Sequence, residues 1–254
     1  MLGRFRARFK EQDWFGVGVE LLIVAIGVFL GMQVSNWNDA RVAHERGQTY
    51  RAQIIADIGA NARELSVLFN YYAEVRRHAI AALAALDAPA GAGDAQFVID
   101  AFQATQILPR SLTHAAFDEA SSTGAFENVG VAAERRAISD YYLSVASIAG
   151  SVGHETSYRE LVRSRVPPIV QEKVQEACGD RSDTASFVTI LPATCVPDVS
   201  AAEATAAAWS IRTAPGVRDA LVRQISELDQ DLRLLPVLSA YARVLTQRLS
   251  RASG

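Results

Sequence analysis

The chain is poor in the residues that ordinarily carry chemistry. It holds two cysteines and four histidines in 254 residues. No CxxC, HExxH, GxSxG or phosphate-cradling glycine loop occurs. These gaps remove the usual four-ligand zinc sites, the zincin and serine-hydrolase signatures, and nucleotide binding by a phosphate loop. His44, His78, His114 and His154 are widely scattered, so neither a metal nor a cofactor is expected. An excess of basic charge is also missing. With a net charge of -3 and arginines interspersed among acids, the chain has no global field for nucleic acid, and no nucleic-acid partner is expected. Alternating strand patterns are scarce while alanine is abundant, which predicts an all-α fold.

What the chain does have is one long apolar run. Half of its residues are hydrophobic, enough for one membrane segment and one sizeable core. Leu21 to Met32 is uninterrupted by any polar side chain, and Trp14 and Trp37 flank it as interface anchors. Phe15 to Val34 is 20 residues, which as a helix crosses a hydrocarbon core of about 30 Å. The run continues into QVSNWNDAR without a small-x-small cleavage site, so it reads as an uncleaved signal anchor. The expected organisation is a basic cytoplasmic tail at 1–13, a transmembrane helix at 14–37 and an extracytoplasmic helical domain at 38–254. Arg4, Arg6, Arg8 and Lys10 precede the run, and Arg41, Arg46 and Arg51 follow it. The narrow basic excess of the short tail and the length of the C-terminal part place the N-terminus inside. Leu2, Phe5 and Phe9 share a helical face in the tail, which is either an interfacial helix or simply a retention signal.

Cys178 and Cys195 bracket a stretch rich in Gly, Pro, Asp and Ser. A disulfide there would stabilise by about 3 kcal/mol and would require an oxidising compartment such as the bacterial periplasm. Two buried free thiols are the alternative.

At 100° per residue, Glu20, Gly27, Gly31 and Ser35 fall on one helical face, whereas Leu21, Phe29 and Leu30 point elsewhere. Such a small-residue stripe is a helix-packing face, for a second copy or a partner membrane protein. For Glu20 three readings stand: a side chain snorkelling to the near headgroups, a contact between helices, and a group coupled to an ion.

The stretch VELLIVAIGVFLGMQVSNWNDAR resembles the N-terminal signature of a bacterial family of single-span membrane proteins, filed as a domain of unknown function. Glu20, Gly27, Gln33, Val34, Asn36, Trp37, Asn38 and Asp39 carry the likeness, Asp39 standing where Glu is usual. A weaker likeness covers SLTHAAFDEASSTGAFENV and RRAISDYY. The resemblance implies architecture and a bacterial inner membrane, without an assigned activity.

Beyond Trp37 no proline or glycine-rich break occurs until APAGAG, and Ile54, Ile58, Leu65, Leu68, Tyr72, Val75, Ala79, Leu83 and Leu86 recur at helical spacing. The membrane helix is therefore expected to continue as a long stalk. Short helices are expected from Asp94 and over THAAFDEASST, the latter closed by Gly124. A longer one, with Ile138, Tyr141, Tyr142, Val145, Ile148 and Val152 on its seam, is expected to run as far as the VPP at 166–168. PIVQEKVQEAC and AAEATAAAWSI flank the cysteine stretch, and a last helix starts near Gly216 with a bend at Pro236. Several amphipathic helices need one another, which predicts a helical bundle. NYYAEV at 70–75 echoes DYYLSV at 140–145, and each pair is expected to bury one ring and leave one at the rim.

One group resembles an acid-base constellation. His114 and Asp118 are four apart on a helical face, with Glu119 adjacent. A solvated helix face explains the same residues. The expected function is a membrane-tethered extracytoplasmic module working by protein contact, as sensor, scaffold or accessory subunit, with the lipid bilayer as its constant partner. The alternatives are a cell-envelope enzyme and an accessory subunit of a transporter using Glu20.

Overall fold

The structure, a computed structural model, describes residues 14–91, 93–149, 152–183 and 188–251. The basic tail at 1–13 and the side chain of Trp14 lie outside the described residues. Helix α1 (Trp14–Ala85) is unbroken for 72 residues, about 110 Å at 1.5 Å per residue. It contains no proline, the residue that would interrupt its hydrogen-bond ladder. From Val17 to Val42 it is exposed on every side, and from Gly47 onward one face is buried. The apolar spacing at Ile54, Ile58, Leu65, Leu68, Tyr72, Val75 and Ala79 is that buried face.

Its main partner is α8 (Val217–Arg251), the other long helix. The two run antiparallel. Arg51 donates to the Leu249 carbonyl at 2.8 Å, Ser239 donates to the Ala62 carbonyl at 3.2 Å, and Arg76 pairs with Asp229. Leu221, Leu228, Leu235, Leu238, Leu245 and Leu249 line the seam from the α8 side. Pro236 lies inside α8 without ending it.

The shorter helices cover this pair: α2 (Asp94–Gln103), α3 (Ala115–Ser122), a 3-10 turn (Ala125–Asn128), α4 (Ala132–Ala149), α5 (Ser157–Arg165), α6 (Pro168–Cys178) and α7 (Ala201–Arg212). α2, α3 and the 3-10 turn pack on α1, α4 and α5 on α8, and α7 on α2. The fold is all-α. Among the described residues its one sheet is a two-stranded antiparallel hairpin, β1 (Arg181–Ser182) with β2 (Thr189–Ile190), Arg181 opposite Ile190. It lies between Cys178 and Cys195.

Local sequence explains the boundaries. Ser200 and Glu203 form a reciprocal capping box at the start of α7. Lys173 and the Ser200 bonds hold the Glu203 carboxyl down to about 2. Gly124 takes φ 73° after α3. Two expectations fail. The helix begun at Ala132 ends at Ala149 rather than running to the VPP sequence. Gly153 adopts φ 78°, and the Thr156 side chain then accepts from the Arg159 amide to start α5 as a separate helix. The tyrosine pairs bury both rings, not one: Tyr71, Tyr72, Tyr141 and Tyr142 are all buried. In each pair the rings meet edge to face, at 5.5 and 5.1 Å, so neighbouring positions pack on each other as well as on the core.

The bundle begins at a tight contact. A Cβ on Gly47 would lie 2.3 Å from the Asn128 carbonyl oxygen, so only glycine lets α1 approach the 3-10 turn. One turn along, buried Arg51 holds Glu134 through two hydrogen bonds of 2.8 and 3.0 Å, while its third bond goes to Leu249. Glu134 also accepts from the Val131 amide at 3.1 Å, and its carboxyl is held below the usual range, chiefly by Arg51. One ion pair thus joins α1, the start of α4 and the end of α8.

Two glycines of the same helix are therefore expected to respond oppositely. Gly47→Ala should lower stability by about 2 kcal/mol or more, because backbone meets the new methyl group. Gly59→Ala, where a Cβ meets nothing within 4 Å, should raise it by up to about 1 kcal/mol through helix propensity. Thermal unfolding of the full chain followed by helical circular dichroism measures both. An unchanged midpoint for Gly47→Ala would refute the close approach.

Candidate functional site

A cleft of about 590 Å³ opens between the segment 110–118 and α4. Three polar side chains on one face of α1 hold the segment that forms its first wall. Asn61 clamps the loop, its amide nitrogen donating to the Thr113 carbonyl and its amide oxygen accepting from the Thr113 amide, each at 2.8 Å. Asp57 accepts from the Ala116 amide at 3.1 Å and so caps α3 from another helix. The Tyr50 hydroxyl donates to Glu119 at 3.1 Å. The spacing 50, 57, 61 returns these three to the same side of α1, and α3 is hung on that side.

The second wall comes from α4. Tyr142 stacks on Phe117 with ring centroids 4.6 Å apart and planes 18° from parallel. Leu112, Leu143, Val145 and Ala146 extend this apolar surface, and Arg110, Ser111, His114, Asp118 and Ser139 edge it. His114 Nδ1 lies 2.5 Å from Asp118 Oδ2, with side-chain exposures of 62% and 59%. So solvated a pair is a weak electrostatic element. Of the three residues grouped by sequence, the structure brings His114 and Asp118 to the cleft, whereas Glu119 turns back to Tyr50.

Tyr142 is the least conventional residue here. Its hydroxyl is buried and has no hydrogen-bond partner among the described residues. Burial pushes its pKa up, and the charges of Asp57 and Asp118 add to the shift. Arg110 pairs with Glu64 at 3.5 Å and donates to Thr189 at 2.7 Å, tying the cleft to the hairpin. Sequence reasoning passed over Asp57, Asn61 and Arg110. Their only signal was helical phase on α1 for the first two, and Arg110 had none.

A second, much smaller cavity of about 20 Å³ lies among Tyr72, Gly153, His154, Gln224, Glu227 and Asp231. Burial pushes the Asp231 carboxyl up to about 6, with Glu227 raising it further and His154 opposing. His154 Nε2 lies 3.8 Å from Glu227. This is a polar pocket of the core, sized for a water molecule.

The remaining sequence candidates sit apart from both cavities. Glu20, Gly27, Gly31, Ser35 and Trp37 are exposed, and a Cβ on Gly27 or Gly31 would meet nothing within 4 Å. Cys178 and Cys195 are joined, with Cα atoms 5.3 Å apart. The loop they close rests on α1: Arg77 donates to the Ala193 carbonyl at 2.6 Å, and the Tyr71 hydroxyl donates to Asp180 at 2.9 Å.

The chain matches no family model, no curated protein and no solved structure. The likeness of residues 19–41 to a single-span family therefore brings no activity to the cleft, and the site stands on its own geometry.

Two substitutions separate scaffold from surface. Asn61→Ala strips the Thr113 amide and carbonyl of their partners and should cost about 2 kcal/mol or more. Tyr142→Phe removes an unpaired hydroxyl and should leave stability unchanged or raise it by up to about 1 kcal/mol. Denaturant unfolding reads both, and a large loss in Tyr142→Phe would reveal a partner for the hydroxyl.

Asp231 supplies a pH test. Its folded pKa is above the ordinary value, so the folded chain binds more protons between about pH 4 and 6, and stability falls as pH rises through that window. Asp231→Asn should stabilise by about 1–2 kcal/mol at pH 7.5 and by nothing at pH 4. Unfolding midpoints at the two pH values decide it, and an equal effect at both would refute the titration.

Proposed function

We propose that the protein is a single-pass, membrane-tethered helical module, its N-terminus cytoplasmic and its bundle periplasmic, that works by contact with another membrane or envelope protein. One observation carries this reading. The apolar segment of α1, exposed throughout, continues without a break into a packed bundle. Leu21, Ile23, Val24 and Phe29 each expose 60% or more of their surface. A patch of that size on a soluble surface marks an interaction site, and length and composition suit a bilayer. The paired cysteines favour an oxidising compartment for the bundle. The small-residue face of Glu20, Gly27, Gly31 and Ser35 supplies the intramembrane contact. Because no loop separates membrane segment from bundle, a tilt or rotation of one is carried into the other, which suits a sensor or an accessory subunit.

The envelope-enzyme reading draws on the His114–Asp118 contact at the edge of an apolar cleft. It requires a substrate turned over by the parent and not by His114→Ala.

Topology and contact are tested together. Reporter fusions after Lys10 and after Gly254 should place only the latter outside the cytoplasm, and the reverse pattern would sink the orientation. A Cβ at Gly27 or Gly31 meets nothing within 4 Å among the described residues, so the effect of Gly27→Leu with Gly31→Leu is expected to report on partners. Insertion should persist, and crosslinking through Ser35→Cys should fall at least fivefold, about 1 kcal/mol of association. Glu20→Gln should change this little if the carboxyl is neutral in a helix contact or lies at the headgroups. Full loss would point to ion coupling.

A further inference from the structure

A groove of about 520 Å³ runs along the seam of α1 and α8, separate from the cleft of α3 and α4. Gly59, Ala62, Val67 and Val188 form its apolar part, and Arg63 and Arg243 stand over it. Among the described residues no carboxylate lines it. Arg51, Arg76, Arg77, Arg110 and Arg212 are each paired with an acid. Arg63 and Arg243 have neither ion pair nor hydrogen bond among the described residues.

The surroundings explain why. After Asp231, α8 carries Arg233, Arg243, Arg248 and Arg251 and no acid. On α1 the acids nearest in sequence to Arg63 are already engaged, Asp57 at the Ala116 amide and Glu64 with Arg110. The Ser66 and Thr246 hydroxyls are spent on their own helices, on the Ala62 and Ala242 carbonyls. The Ser239 bond to Ala62 fixes the register and sets Arg243, one turn further along α8, beside Gly59. The two arginine positions are thus about one helical turn apart along the seam. Gly59 offers no side chain to fill the space beneath them, and a Cβ there would meet nothing.

We propose that this groove binds a single-chain anionic amphiphile, its carboxylate or phosphate held by Arg63 and Arg243 and its chain laid over Ala62, Val67 and Val188. Guanidinium forks match both head groups. From Gly59 to Val67 the floor is about 12 Å long, at 1.5 Å per residue, room for the head group and the first part of an acyl chain. Gly59 lies 22 residues beyond Trp37, about 33 Å along the helix. A lipid seated in the bilayer does not reach it, so the occupant is a detached amphiphile. Binding here does not depend on which side of the membrane the bundle occupies, and its failure leaves the topology assignment standing.

The test is photocrosslinking of the full chain in zwitterionic nanodiscs with a diazirine analogue of dodecyl phosphate, mapped by mass spectrometry. Label is expected on peptides covering 59–67 and 242–247, with excess dodecanoate or dodecyl phosphate displacing it. Arg63→Gln with Arg243→Gln should cut that label about tenfold, two charge-assisted bonds being lost. Label on Leu21–Met32, from probe dissolved in the bilayer, should not change. Gly59→Leu keeps both charges and fills the floor, and should reduce label comparably, with helicity checked by circular dichroism. Equal labelling of the double arginine variant, or equal labelling by a neutral dodecanol analogue, would overturn the charge recognition. Complete displacement by inorganic phosphate at the same concentration would show a site for free anions and overturn the amphiphile.

Discussion

Residues 47–85 of α1 supply a wall to most of the packed layers, and the helix runs into them unbroken from an apolar segment. The same backbone ladder carries two side-chain patterns. From Leu21 to Met32 the side chains are apolar all round, and from Gly47 onward they are apolar on one face. The change happens over the exposed polar turns between Trp37 and Gly47. Past that point a soluble protein's rules apply.

The base of the bundle shows how this is secured. Gly47 lets the 3-10 turn come close, and Arg51 joins Glu134 and the Leu249 carbonyl directly above it. A buried ion pair offsets the cost of its own desolvation only when its hydrogen bonds are filled. Here the guanidinium fork meets both carboxylate oxygens and a helix-end carbonyl, and the carboxylate in turn caps the next helix. Three elements distant in sequence are fixed at one point, which sets the register for the long seam of α1 and α8.

Polar groups do comparable work higher up. Asp57 and Asn61 satisfy backbone groups of a loop and a helix start that have no secondary-structure partner, and in doing so shape the cleft. The cleft lies between the segment 110–118 and α4 and the arginine groove lies against α1, and they differ in character. The first has a stacked aromatic floor and mixed charge at its edge, whereas the second has aliphatic walls and charge of one sign.

Much of the fold was legible in the sequence. The all-α class, the long first helix and the spacing from Ile54 to Leu86 follow from period and from the absence of proline, because local hydrogen bonding and burial of one face are written in consecutive residues. The four-residue spacing likewise put His114 beside Asp118. The break after Ala149 was harder to read, since the apolar seam continues through Ile148 and Val152 while Gly153 turns the chain. Only the tertiary structure decided the rest. That Glu119 answers Tyr50, and that among the described residues Tyr142 lies buried without a partner and Arg63 and Arg243 share a groove with no acid, all depend on contacts between residues far apart in sequence. Helical phase says which face a residue occupies, and packing alone says what that face meets.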